Sequence, residues 1–171
     1  MEPVEELHSL RTDPIVHKNL SLNDSEQKID NIKGDALELN ILIKPNDAKE
    51  FGLRVLCSPD GREQTSISYN VETEVVRVDL SKTSLDSSLM RYDWFKLVQE
   101  ASLKLSPKET LNLHVFIDKS VLEIFVNGKL CLTHKVYPSL EESKGIRLFS
   151  VGGEIDVPII NAWKMHPSNP W

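Results

Sequence analysis

The strongest signal along the chain is a two-residue alternation of apolar and polar positions. From Leu37 the apolar side chains fall at Leu37, Leu39, Ile41 and Ile43, with Glu38, Asn40 and Lys44 between them. Only a half-buried strand has that period, and Pro45-Asn46 ends it. Phe51 to Cys57 is a second apolar run, closed by Ser58-Pro59-Asp60-Gly61, whose Pro and Gly suit a tight turn. Ile67, Tyr69 and the stretch Val71 to Leu80 continue the strand signal with many β-branched residues. No helical periodicity of useful length interrupts the pattern, and only Leu89 to Leu105 is ambiguous.

The segment from residue 113 to 138, LHVFIDKSVLEIFVNGKLCLTHKVYP, carries the most specific local prediction. Asn127-Gly128 separates two strand-like runs and suits a type I′ turn, in which both central residues take positive φ. A two-residue loop then pairs Phe125 with Leu130, Ile124 with Cys131 and Glu123 with Leu132. Val121-Leu122 and Ile124-Phe125-Val126 break clean alternation, which predicts a strand covered on both sides. Glu123, if buried, needs an Arg or backbone partner, and Arg147 is the candidate; otherwise its face points partly outward. Two further strands read as residues 144–153 and Ile155 to Trp163, with Gly152-Gly153 turning between them. Residues 1–34, interrupted by Pro3, Pro14, Asn19, Asn23, Asp24 and Gly34, read as a linker, so the domain proper is placed at 35–171. Many short strands without interleaved helices predict an all-β fold, an antiparallel two-sheet β-sandwich of the concanavalin or lectin-like kind.

Composition agrees with one folded domain. The chain has 171 residues, 40% hydrophobic and 27% charged, near the globular average. Its net charge of −6, without a basic cluster, argues against nucleic acid as a partner. The acidic start carries no signal-peptide pattern, and no apolar run approaches the ~18 residues of a membrane span, so no membrane partner is expected and the compartment is left open. For Cys57 and Cys131 two readings stand, small core residues on separate strands or one long-range disulfide. His8, His17, His114, His134 and His166 lack metal-ligand spacing, and no metal or cofactor is predicted. Asn19-Leu20-Ser21 and Asn23-Asp24-Ser25 match the glycosylation sequon, a pattern too short to carry weight.

Several motifs resemble one family. The run from Ile117 through Asp118, Ser120, Glu123, Phe125, Asn127 and Gly128 is similar to the "VDRSIVEVFxNxG" signature of the C-terminal β-sandwich module of glycoside hydrolase family 32, the invertases, levanases and other β-fructosidases. Tyr137-Pro138, Gly145-Ile146-Arg147-Leu148-Phe149 and Trp163 follow in the family's order. Val78-Asp79-Leu80-Ser81-Lys82-Thr83-Ser84 is similar to its "xDRSxS" segment, with Leu80 in place of the basic residue, and Glu5 to Arg11 resembles the "ELxxLR" stretch that leads from the catalytic propeller into the sandwich.

The resemblance implies that the parent enzyme hydrolyses sucrose or fructans with a β-propeller domain absent from this sequence. Retaining glycosidases need two carboxylates about 5 Å apart, and the family's "WMNDPNG" and "EC" motifs do not occur here. Arg11-Thr12-Asp13-Pro14 only mimics "RDP". No catalytic residue is therefore assigned. Glu141-Glu142 and Glu154/Asp156 read as solvated faces, and Asp118 and Ser120 as turn residues. The expected function is a module that packs against and stabilises the catalytic propeller. The alternatives are a carbohydrate-binding module, stacking sugar on Tyr92, Trp94 and Phe95, or a homo-oligomerisation module.

Overall fold

The structure is a computed structural model that describes residues 1–86, 88, 96–106 and 109–168. A short 3-10 helix, Glu5–Leu10, precedes twelve strands: β1 (Arg11–Asn23), β2 (Glu26–Lys33), β3 (Ala36–Pro45), β4 (Glu50–Cys57), β5 (Thr65–Asn70), β6 (Val75–Asp79), β7 (Val98–Ser102), β8 (Leu111–Asp118), β9 (Val121–Val126), β10 (Leu130–Lys135), β11 (Gly145–Val151) and β12 (Glu154–Met165). They form two antiparallel six-stranded sheets, ordered β1-β12-β3-β8-β9-β10 and β2-β11-β4-β5-β6-β7. The core lies between them. Leu39, Ile41 and Ile43 of β3 and Val115 of β8 meet Phe51, Leu53, Ile67, Val76 and Val78 of the second sheet, all without solvent exposure. The sandwich expectation holds.

Arg11–Asn23 and Glu26–Lys33 are not linker but edge strands: β1 pairs along β12 from Arg11↔Met165 to Asn23↔Glu154, and β2 pairs with β11. Leu22, Ile29 and Ile32 are buried in the core. The residues that read as breakers are absorbed by irregular backbone. The register of β1 shifts between Thr12 and Ile15, around Pro14, as an edge strand allows, and Asp13, Asn19, Asp24 and Asn31 all adopt positive φ. Val71, read as strand, instead opens the β5–β6 turn.

The Asn127-Gly128 turn forms with φ of 48° and 64°, and the Lys129 amide donates to the Val126 carbonyl at 2.9 Å. The register differs by one residue from that expected. Val126 pairs with Leu130, Phe125 with Cys131, Ile124 with Leu132 and Glu123 with Thr133, because Lys129 is an extra loop residue. A one-residue slip exchanges faces. Leu132 therefore joins Leu122, Ile124 and Val126 inside, while Val121, Glu123, Phe125 and Cys131 turn outward. The strand is covered fully on its inner side only; Val121 is 38% exposed.

Glu63 ties loops together at one end of the sandwich. It is fully buried, and its Oε1 accepts from the Leu85 amide at 2.8 Å, the Ser139 amide at 2.8 Å and the Ser139 hydroxyl at 2.5 Å. Its Oε2 accepts from the Leu140 amide at 3.0 Å and the Ser143 hydroxyl at 2.6 Å. Burial alone would raise its pKa, but the hydrogen bonds from Ser139, Ser143 and the Leu140 and Ser139 amides prevail and bring it down to about 2. A buried carboxylate with this many donors keeps its charge.

Candidate functional site

The outer face of the first sheet carries a cluster of charged and aromatic side chains. Strand pairing lays its side chains in two rows. One row runs Trp163, Glu38, Phe116, Glu123 and Thr133, and the next runs Asn161, Asn40, His114, Phe125 and Cys131. Each row takes one residue per strand because outward positions recur every second residue and neighbouring strands keep register.

At the centre of this face sits a buried ion cluster. Glu38 has no exposed surface. The Arg11 Nε and Nη2 donate to its two oxygens at 2.7 and 2.5 Å, a bidentate pair, and His114 Nε2 lies 2.6 Å from Oε1. Burial opposes the charge on Glu38, yet the hydrogen bonds and charges of His114 and Arg11 hold its carboxyl below the usual carboxylate range. The Arg11 guanidinium stacks 4.2 Å from the Trp163 ring centroid, which desolvates one face of the cation. Around it, His114 and Phe116 lie 4.9 Å apart, and Phe116 and Phe125 meet edge to face at 6.2 Å.

Two cavities open on this face. A groove of about 760 Å³ is bordered by Leu7, Leu10, Phe116, Val121, Glu123 and Met165. A smaller cavity of about 280 Å³ is bordered by Asn40, Asn112, His114, Phe125 and, near the start of the chain, Met1, Glu2, Pro3, Glu5 and His8. The first ten residues thus run along the outer face. The His166 amide donates to the Leu10 carbonyl at 2.9 Å, and the Met1 amino group donates to the Gly128 carbonyl.

The signature residues divide by location. Glu123, Phe125 and Trp163 lie on the outer face. Asp118 and Ser120 flank Lys119, whose φ is 53° and whose amide donates to the Asp35 carbonyl at 2.7 Å. Asp118 ends β8 and Ser120 lies in the turn that follows, its carbonyl accepting from the Val136 amide at 2.9 Å. Asn127 closes the β9–β10 loop, its Oδ1 accepting from the Asn112 amide at 2.6 Å and its Nδ2 donating to Glu109 and to the Thr110 carbonyl. Tyr137 and Pro138 follow β10 beside the loop that Glu63 holds. Gly145, Arg147 and Phe149 belong to β11 in the other sheet. There Arg147 pairs with Glu26 at 2.8 Å and donates to the Ser58 and Pro59 carbonyls.

Arg147 is therefore not the partner of Glu123, which points outward, half-buried, without an ion pair among the described residues. Cys57 is buried in β4, while Cys131 is half-exposed on the outer face of the first sheet. The two thiols sit in different sheets and are free, so neither the disulfide nor the reading of both as core residues holds. Glu154 and Asp156 accept hydrogen bonds from Ser21 and Asn46 at the surface, and Glu141-Glu142 is exposed. Tyr92, Trp94 and Phe95 lie outside the described residues. Among the described residues no three His, Cys, Asp or Glu side chains converge as a metal site.

Sequence reasoning missed the two carboxylates that are buried among the described residues, Glu38 and Glu63. Glu38 occupies an outward position of an alternating strand, and its partners Arg11 and His114 stand far from it in sequence. The one usable signal was Arg11, which ends the "ELxxLR" stretch.

The structure is thus a two-sheet sandwich whose first ten residues run across one outer face. The comparisons with known proteins agree. The family described as "Glycosyl hydrolases family 32 C terminal" matches residues 6–164, and the chain belongs to that family. It is 31% identical over 137 residues to an insoluble isoenzyme of beta-fructofuranosidase from Arabidopsis thaliana, covering 75% of this chain and 23% of that protein. It is 29% identical over 175 residues to the levanase of Bacillus subtilis, covering 96% of this chain and 25% of the levanase. Among solved structures, fructan 1-exohydrolase IIa from Cichorium intybus superposes with a TM-score of 0.84 at 23% identity, over 98% of this chain and 38% of that one. The chain spans about a quarter of the length of the first two relatives, whose family pairs this domain with a catalytic one.

Proposed function

We propose that the chain serves as the C-terminal module of an enzyme that hydrolyses β-fructosidic bonds of sucrose or fructans, and that it packs against the catalytic domain through the outer face of the first sheet. The carrying observation is a coincidence of place. The connecting segment, anchored through Arg11 on buried Glu38, ends beside the groove lined by Leu7, Leu10, Phe116, Val121 and Met165. Val121 is exposed there and Leu7, Leu10, Phe116 and Met165 are half-buried, and a partly exposed apolar patch is suited to a contact site. A tethered domain needs only a modest interface, because a short linker supplies an effective concentration in the millimolar range.

The bidentate Arg11–Glu38 pair also fixes the direction in which the preceding chain leaves the sandwich, which orients whatever precedes it. A fusion of the levanase catalytic domain to this chain through the Glu5–Leu10 segment tests the reading by calorimetry. One cooperative transition, split into two by Val121→Asp with Phe116→Asp, is expected. Two independent transitions in the unsubstituted fusion would overturn it.

A further inference from the structure

We propose that the cavity at the β2 edge of the second sheet, where Lys28 and Lys33 meet Lys144 and Arg147, binds a phosphate-class oxyanion, free or carried as an ester on a small molecule. The cavity holds about 460 Å³, within the range of about 300–1,000 Å³ for ordinary ligand pockets. It shares no bordering residue with the groove assigned to domain packing, so neither site depends on the other.

The convergence of the lysines begins in an irregularity of β2. On a regular strand, residues an odd number of positions apart point to opposite faces. Here Lys33 pairs with Gly145 and Lys28 with Arg147, so that five steps along β2 match two along β11, and Asn31 in between takes a φ of 65°. The extra residues restore the phase. Ile29 and Ile32 both enter the core, while Lys28 and Lys33 both stay at the surface and border the cavity. Lysines often guard an edge strand against further pairing, but that task needs neither a register shift that gathers them nor cations from the neighbouring strand.

Ion pairing leaves these charges in surplus. Lys28 and Lys33 have no ion pair and no side-chain hydrogen bond among the described residues. Lys144 stands 3.8 Å from Asp35, a carboxylate that also faces Lys119 at 3.2 Å. Arg147 shares Glu26 with Arg54, and its Nη2 is fixed on the Ser58 and Pro59 carbonyls. Six cations therefore meet three carboxylates, Glu26, Asp35 and Glu142 on the border, in a chain whose net charge is −6. Asp60 of the adjoining turn is already matched by Arg62, and Asp30 does not border the cavity. A local surplus of positive charge concentrates anions. Ammonium and guanidinium groups donate hydrogen bonds and accept none, so they suit oxygens that bring charge, and a multivalent oxyanion offsets more of the surplus than a halide does.

Titration of the full chain with inorganic phosphate, sulfate and phenyl phosphate, each against chloride at an equal ionic strength of about 50 mM, tests the proposal through amide shifts in nitrogen–proton correlation spectra. Saturable shifts at Lys28, Lys33, Lys144 and Gly145 are expected for the oxyanions, with dissociation constants on the order of millimolar, and none for chloride. Lys28→Ala with Lys33→Ala should weaken binding about tenfold or more, since each unit charge lost beside a dianion is worth a few-fold even in water, with the rest of the spectrum unchanged. Lys104→Ala, beyond β7 at the opposite edge of the sheet, should leave binding as it is. Tighter binding of phenyl phosphate than of inorganic phosphate would assign an esterified ligand, and the reverse the free ion. Absence of saturable shifts, shifts reproduced by chloride, or affinity that survives the double substitution would overturn the proposal. So would a response to a hexaglutamate peptide alone, which would mark the patch as a protein contact.

Discussion

Replacing Glu63 by Gln removes a charge that the fold buries completely and surrounds with five donors from Leu85, Ser139, Leu140 and Ser143. In the folded chain its pKa is about 2, against an ordinary 4.5. Each unit of that difference is worth about 1.4 kcal/mol, so the carboxylate contributes about 3 kcal/mol to stability at neutral pH. The folded pKa is depressed, so the contribution is complete above the unfolded value and fades as pH falls from about 4.5 toward about 2. Gln also turns an amide NH₂ toward groups that are themselves donors, leaving buried N–H groups unmatched. Urea unfolding of Glu63→Gln at pH 7 should therefore show a loss of about 3 kcal/mol, or a melting temperature lower by roughly 6–12 °C for a chain of this size. The gap from the parent chain should narrow at about pH 3, where the parent carboxylate is losing its advantage. A loss under about 1 kcal/mol at pH 7, or a gap that does not change with pH, would refute the reasoning.

Three further outcomes follow from single residues. His134 faces the core on β10, and burial lowers its pKa below 6.5, so the unfolded chain binds the proton more readily. Stability should fall as pH drops through 6.5, and His134→Leu should flatten melting temperature against pH over that window. A Cβ on Gly52 would lie 2.0 Å from the Ile67 carbonyl of the neighbouring strand, so Gly52→Ala should cost ~3 kcal/mol or more in denaturant unfolding, at the upper end of overpacking effects. Burial pushes the Cys57 thiol up to about 11, whereas Cys131 is half-exposed. A thiol reagent should therefore modify Cys131 in the native chain and Cys57 only after unfolding, without a reducing agent.

The parts of the fold legible in the sequence are those where local pattern and environment agree. Leu37 to Ile43 alternates because one face of β3 is core, and Asn127-Gly128 turns because both residues tolerate positive φ. The edge strands were illegible because they bury little. Only Leu22 of β1 is buried, and the breakers that suggested a linker sit at bulges and left-handed positions an edge can hold. The hairpin register turned on Lys129, a residue whose place in the loop no periodicity announces. Glu38 and Glu63 escaped notice for a different reason. A buried carboxylate is defined by its donors, and those of Glu63 lie 22 to 80 positions away. The outer-face site was half visible: Glu123, Phe125 and Trp163 belong to recognised motifs, but only strand order places them beside Arg11, Glu38 and His114.

The outer face of the first sheet is proposed as the surface where the module meets a catalytic domain. Hydrogen exchange compared between the free chain and its fusion to a family catalytic domain measures this most directly. The account predicts slower exchange in the fusion for amides of the Glu5–Leu10 segment, Phe116 to Val121 and Met165, with the outer face of the second sheet around Arg54, Arg77 and Phe149 unchanged. Protection confined to the second sheet, or none on either face, would contradict it.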